Sequence, residues 1–172
     1  MMKPETIKLS EELDFSGPVS FLLNRAGKRV VGCSTQAVWN LVTLLNEWPK
    51  GSDPMDGLMT IRAGINERLD ESQSASTQDI IQFIKSEPVI AEQLVDAFFT
   101  EERAAKDIIW LLKDHVILLF TGGVESLPGQ GHLGLLHITN KRLYLDGTEL
   151  DLVTVTKFLY SSKQNYGLLF QR

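Results

Sequence analysis

Residues 127–139, LPGQGHLGLLHIT, contain Gly129-Gln130-Gly131-His132-Leu133-Gly134, a literal G-x-G-x-x-G. Glycines in this pattern let backbone N–H groups approach a pyrophosphate. They do so only where the segment leaves a strand, opens a helix and meets an acid about 20 residues on. Here they run straight into LLHIT, which has no helical period and leads to a turn at Asn140-Lys141. The dinucleotide reading therefore fails. A kinase glycine loop does lie between two strands, but no strand lysine, H-R-D loop or D-F-G follows. The glycines read as a connection between extended segments. An unfamiliar enzyme site, if one existed, would lie around Gly129, Gly131, His132 and His137.

The other chemistry-bearing residues are few. His115, His132 and His137 are too far apart, and too poor in neighbouring acids or thiols, for a recognisable zinc motif. His137 alternates with Leu136 and Ile138 and so should point away from them, toward a surface or rim. Cys33 is the single cysteine, which excludes an internal disulfide. There is no G-x-S-x-G, H-E-x-x-H or P-loop. The acid pairs Glu11-Glu12 and Glu101-Glu102 fall at expected helix starts, where the helix dipole accounts for them. Lys141-Arg142 forms a small basic tip where an anionic headgroup could dock. No catalytic residue, metal site or cofactor is expected. The candidate binding residues are Lys141, Arg142, His132, His137 and Trp39.

The elements that must position these residues change character along the chain. Residues 34–113 carry helical patterns. STQAVWNLVTLLNEWP offers Ser34 as cap, with Val38, Leu41, Val42 and Leu45 on one face and Pro49 as its stop. Trp39 lies toward the flank, where core packing is the first reading and covering a preceding hairpin or facing a partner the others. Asp53-Pro54 starts a helix bearing Met55, Leu58, Ile61, Ile65 and Leu69. Ser76 or Thr77 caps another bearing Ile80, Phe83 and Ile84. PVIAEQLVDAFF and TEERAAKDIIWLLKD read as two more helices, the second capped by Thr100, with Asp107 placed to pair with Arg103. The run IIWLL is too apolar for a free surface and should pack on a neighbour.

Before these helices, residues 19–31 read as a β-hairpin. From His115 onward the pattern is extended: HVILLF, LGLLHIT, RLYL, TELDLVTVTKFLY and LLFQR, joined by turns at Asn140-Lys141, Asp146-Gly147 and NYG. The expected class is α+β, with an N-terminal hairpin and helical region (about 34–113) packed on a C-terminal antiparallel sheet or partial barrel. The corresponding regions are 1–114 and 115–172, which may share one core. Charge shifts at the same boundary, from a net −6 to +1.

The overall charge of −5 disfavours nucleic acid, which demands many Lys/Arg–phosphate contacts. No apolar run approaches the ~18 residues of a membrane span. The polar, acidic start lacks signal-peptide character, so a cytoplasmic location is expected.

Residues 134–162 resemble the strand–hairpin–strand centre of bacterial PH-like and GRAM domains. The matching residues are Ile138, Thr139, Asn140, Lys141, Arg142, Leu143, Tyr144 and Leu145, then Leu152 and Val155. The resemblance implies a curved sheet or small barrel used to contact a protein or a lipid headgroup rather than to catalyse. That fold wants more strands and a closing C-terminal helix than this chain offers. An uncovered edge is then one route to a homo-oligomer. Residues 19–84 are similar, more faintly, to the winged-helix fold of PqqD-like peptide-recognition elements.

The leading functional expectation is a non-enzymatic binding or adaptor protein presenting its sheet to a protein partner. An anionic headgroup ranks second, because residues 115–172 carry only +1. The alternative is a peptide-binding chaperone or carrier that uses the N-terminal region and the Trp39 face to grip an extended segment.

Overall fold

The computed structural model describes residues 32–45, 53–67, 75–121, 132–145 and 147–172. The expected hairpin at 19–31, and the motif glycines Gly129 and Gly131, lie outside them. Helices α1 (Cys33–Leu44), α2 (Pro54–Gly64), α3 (Thr77–Ser86) and the single turn α4 (Pro88–Ala91) come first. Strand β1 (Leu94–Phe99), a 3₁₀ turn (Thr100–Glu102) and helix α5 (Ala105–Leu111) follow. Then come β2 (His115–Thr121), β3 (His132–Thr139), β4 (Arg142–Leu145), β5 (Thr148–Glu149), helix α6 (Leu152–Leu159) and β6 (Tyr166–Gln171). The six strands form one open antiparallel sheet in the order β1-β6-β2-β3-β4-β5. The α+β expectation holds.

The sheet is covered on both faces. Alternate residues Val116, Leu118, Phe120, Leu133, Leu135, Leu168 and Phe170 join one core with α1–α4. The intervening Ile117, Leu119, Leu136 and Leu169 join a second core with Phe98, Ile108 and Leu112 and with Val155 and Leu159 of α6. Double coverage explains why β2 and β6 read as unbroken apolar runs rather than alternating ones. Gly134, the last glycine of the motif, is a strand residue opposite Leu119, and Gly167 flanks Leu119 from the other side. A Cβ on Gly167 would stand 3.1 Å from Ile117 and 3.4 Å from the Phe98 ring, so glycine keeps that layer close.

Several helix starts form as expected. Asp53 accepts from the Met55 N–H with Pro54 at the first helical position, and Ser76 accepts from the Asp79 N–H. At α1 the expectation of a Ser34 cap is corrected. Gly32 is the N-cap and offers no side chain, while Ser34 is buried within the first turn. The buried Glu67, 35 positions away, supplies the cap: its carboxylate accepts from the backbone N–H groups of Gly32 (3.3 Å) and Thr35 (3.4 Å), and from the Thr35 hydroxyl. An anion at a helix N-terminus gains from the dipole as well as from the orphan donors.

Two expected elements are reversed. PVIAEQLVDAFF is helical only through Ala91 and then becomes edge strand β1. Its partner on one side is β6, and a register shift between Leu94 and Asp96 bends it. LVTVTKFL, expected as a strand, is helix α6. Asp151 caps it by accepting from the Thr154 N–H at 2.7 Å, and Val155 and Leu159 face the core one turn apart. Of the expected helix 100–113, only Ala105–Leu111 is α-helical, and Thr100 opens the 3₁₀ turn instead of capping it. The Thr100 hydroxyl donates to the Leu159 carbonyl at 2.6 Å. Arg103 pairs with Asp96 rather than with Asp107.

The last strand does not follow its predecessor at the edge. After α6 the chain crosses the sheet face and inserts β6 between β1 and β2.

Candidate binding groove

Helices α5 and α6 lie on the sheet face that carries Leu136 and Leu145. Each has more apolar residues than its inward stripe can use. Ile108 of α5 and its C-cap Leu112 point inward and are fully buried, which leaves Ile109 half-buried and Trp110 66% exposed. On α6, Val155 and Leu159 are buried, while Leu152 and Val153 are 54% and 64% exposed. Ile109, Trp110 and Leu152 of that surplus, with Ile138 of β3, line a half-open groove of about 360 Å³ together with Ala105, Thr156, Lys106 and Lys113. A volume near 360 Å³ falls within the range of ligand clefts, about 300–1,000 Å³.

The helices are fixed in place by polar contacts at their ends. Asn165, fully buried, donates through Nδ2 to the carbonyls of Phe158 (3.1 Å) and Leu159 (3.2 Å), closing the C-terminus of α6. The Tyr160 hydroxyl donates to the Arg103 carbonyl at 2.6 Å and ties that end to the segment before α5. Burial, and to a lesser degree the Asp107 charge, raises the Tyr160 pKa. The Lys113 ammonium sits 3.6 Å from the centroid of the Trp110 ring, a cation–π contact that holds the indole at the groove mouth.

The residues singled out from sequence lie elsewhere. None of Lys141, Arg142, His137 and Trp39 lines the groove. Trp39 is 4% exposed and belongs to the core on the α1 side of the sheet, so its core-packing reading holds and it does not face a partner. Lys141 and Arg142 form the expected exposed tip, with positive φ at Asn140 (52°) and Lys141 (65°). Arg142 is paired with Glu149 at 3.3 Å. His132 opens β3, where its backbone pairs with Thr121.

His137 departs most from expectation. It does point away from Leu136 and Ile138, but into the other core, and is fully buried. Its ring stacks on Tyr144 with centroids 5.2 Å apart, and Nδ1 lies 2.8 Å from the Thr139 hydroxyl. Arg172 donates to the same hydroxyl oxygen at 2.9 Å and to the Ile138 carbonyl. The Thr139 hydroxyl, with one proton and two lone pairs, can serve both Arg172 and Nδ1 of the neutral ring. Nε2 has no hydrogen-bond partner among the described residues. Desolvation, reinforced by the Arg172 charge, lowers the His137 pKa to about 4. The ring is neutral at ordinary pH. Gln36 and Asn40, one turn apart on α1, are buried, and their amides have no hydrogen-bond partner among the described residues.

Among the described residues no group of three or more His, Cys, Asp or Glu side chains gathers to hold a metal ion, and no helix is long and apolar enough to cross a membrane. The class these observations define is an α+β chain whose described residues form an open six-stranded antiparallel sheet with an exposed apolar groove over one face. No family model, curated protein or solved structure matches it.

The groove was missed at sequence level, although a signal for it existed. IIWLL is too apolar by composition for a free surface, and half of that expectation is right. Ile108 and Leu112 are covered, and Trp110 is not.

Proposed function

We propose that this chain is a non-enzymatic binding protein whose α5–α6 face holds a segment of a protein partner. The observation that carries the reading is the exposed Trp110–Leu152 pair lining a cleft of about 360 Å³. Exposed tryptophan, anchored over a cleft and beside a long cation, is the residue type that dominates recognition surfaces. Ile138, which belongs to the hairpin resembling PH-like and GRAM sheets, forms the floor. That resemblance stays part of the proposal, on a sheet that is open and whose helix comes before the last strand rather than after it.

A protein partner is favoured over a lipid headgroup, because Arg142 at the basic tip is already paired with Glu149. Self-association through the sheet edge is not part of the proposal. The register shift in β1 and the exposed Asp96–Arg103 pair are devices that blunt an edge. A cytoplasmic setting is proposed with it, in keeping with the single cysteine.

The test is a photo-crosslinking amino acid placed at Thr156, inside the groove, in the native host. A discrete adduct that disappears when Trp110→Glu is added supports the proposal. Adducts unchanged by Trp110→Glu, or equal in yield to those from a probe at Gln82 on α3, would refute it.

A further inference from the structure

The groove's occupant can be narrowed from its wall chemistry; this step rests on the binding reading above. Lys106, Ile109 and Trp110 line the groove from α5 and Lys113 from the turn that follows it, so two exposed lysines stand near opposite ends of the helix. Among the described residues no Asp or Glu lines the groove. Lys113 finds its partner in the Trp110 ring, not in a carboxylate. The nearest acid in the chain to α6's groove residues, Asp151, is engaged in capping that helix. The mouth is therefore cationic at both ends and apolar between them, on a molecule whose net charge is −5.

The form of the occupant follows from the backbone. Groove walls made of helix surface have their own N–H and C=O groups bonded internally, so they offer nothing to pair with an extended peptide. A strand laid there would bury unpaired backbone. A helix satisfies its own backbone and can present an apolar row to such a wall. We infer that the groove receives an acidic amphipathic helix of a partner protein, with apolar residues seated over Trp110, Leu152 and Ile138 and flanking carboxylates paired with Lys106 and Lys113.

Two labelled helical peptides test this. They share one apolar i, i+3, i+4, i+7 row and differ only in flanking residues, glutamate in one and lysine in the other. Binding is read by fluorescence anisotropy, with circular dichroism to confirm that each variant folds. The expected result is tighter binding of the glutamate peptide, by about tenfold at low salt for two exposed ion pairs, with the gap closing as salt rises. The double variant Lys106→Glu/Lys113→Glu should invert the preference, and Trp110→Ala should weaken both peptides.

Equal, Trp110-dependent binding of the two peptides would overturn the acidic-helix inference and leave the groove-binding proposal standing. Failure of both peptides to bind would overturn the inference. Trp110-dependent binding to phosphatidylglycerol vesicles, with neither peptide bound, would overturn both and assign the face to a membrane surface.

Discussion

Burying His137 makes folding sensitive to mild acid in a calculable way. An unfolded histidine takes up its proton near pH 6.5, and the folded ring does so only near pH 4. Between those values the unfolded chain binds more protons than the native one, so stability must rise with pH across the window and fall on acidification. At pH 5.0 the penalty relative to pH 7.5 is about 2 kcal/mol, and it approaches about 3.4 kcal/mol below pH 4.

His137→Phe keeps an aromatic ring against Tyr144 but cannot titrate. It also gives up the contact to Thr139, at a cost of about 1 kcal/mol that does not vary with pH. Urea unfolding of both proteins from pH 7.5 to 5.0 isolates the effect, because His115 and His132 are common to both. The wild-type free energy should fall by about 2 kcal/mol more than that of His137→Phe over this range. Parallel curves would refute the buried, neutral assignment. A His137 ring resonance titrating near 6.5 in the folded state would do the same.

Other outcomes follow from packing. Trp39→Ala should cost about 3–5 kcal/mol in chemical denaturation, whereas Trp110→Ala should stay within about 0.5 kcal/mol, since one ring is core and the other surface. Comparable losses from the two would place the groove wrongly. Gly64→Ala should destabilise by about 1–3 kcal/mol although alanine favours helix, because its Cβ would stand 2.4 Å from the Phe83 ring; a gain in melting temperature would contradict that contact. Glu67→Ala should remove the cap of α1 and cost about 1–2 kcal/mol, and hydrogen exchange at Gly32 and Thr35 should quicken.

Much of the helical layer was legible because local chemistry and packing agree there. Asp53-Pro54 and Ser76 announce helix starts, and the Met55–Ile65 and Ile80–Ile84 rows are the buried ones. The turn at Asn140-Lys141 was legible for the same reason. The failures have distinct causes. Val153, Thr154, Val155 and Thr156 favour strand by type, but the Asp151 cap and the Val155/Leu159 spacing outweigh them. Edge strand β1 shows little alternation, because Val95, Asp96 and Ala97 are all exposed around its register shift. The central place of β6 depends on a crossover that no local pattern records, although its apolar run hinted at double burial.

His137 shows how a correct alternation can lead to a wrong environment. Pointing away from Leu136 means solvent only if the second face is open, and α1 packs against β3 on that face. The groove was hidden for a related reason. Periodicity identifies which residues share a helix face, but not whether a neighbour covers it, so Trp110 and Leu152 could be recognised as surplus only once α5 and α6 stood side by side.

The most direct test of the central claim is an NMR titration of the isotope-labelled protein with the glutamate-flanked helical peptide. Saturable shifts confined to the Trp110 indole N–H, the Ile109, Ile138 and Leu152 methyl groups and the Lys106 and Lys113 amides are predicted, with Trp39 unmoved. Shifts centred instead on the Lys141–Arg142 tip or on the β1 edge would contradict it.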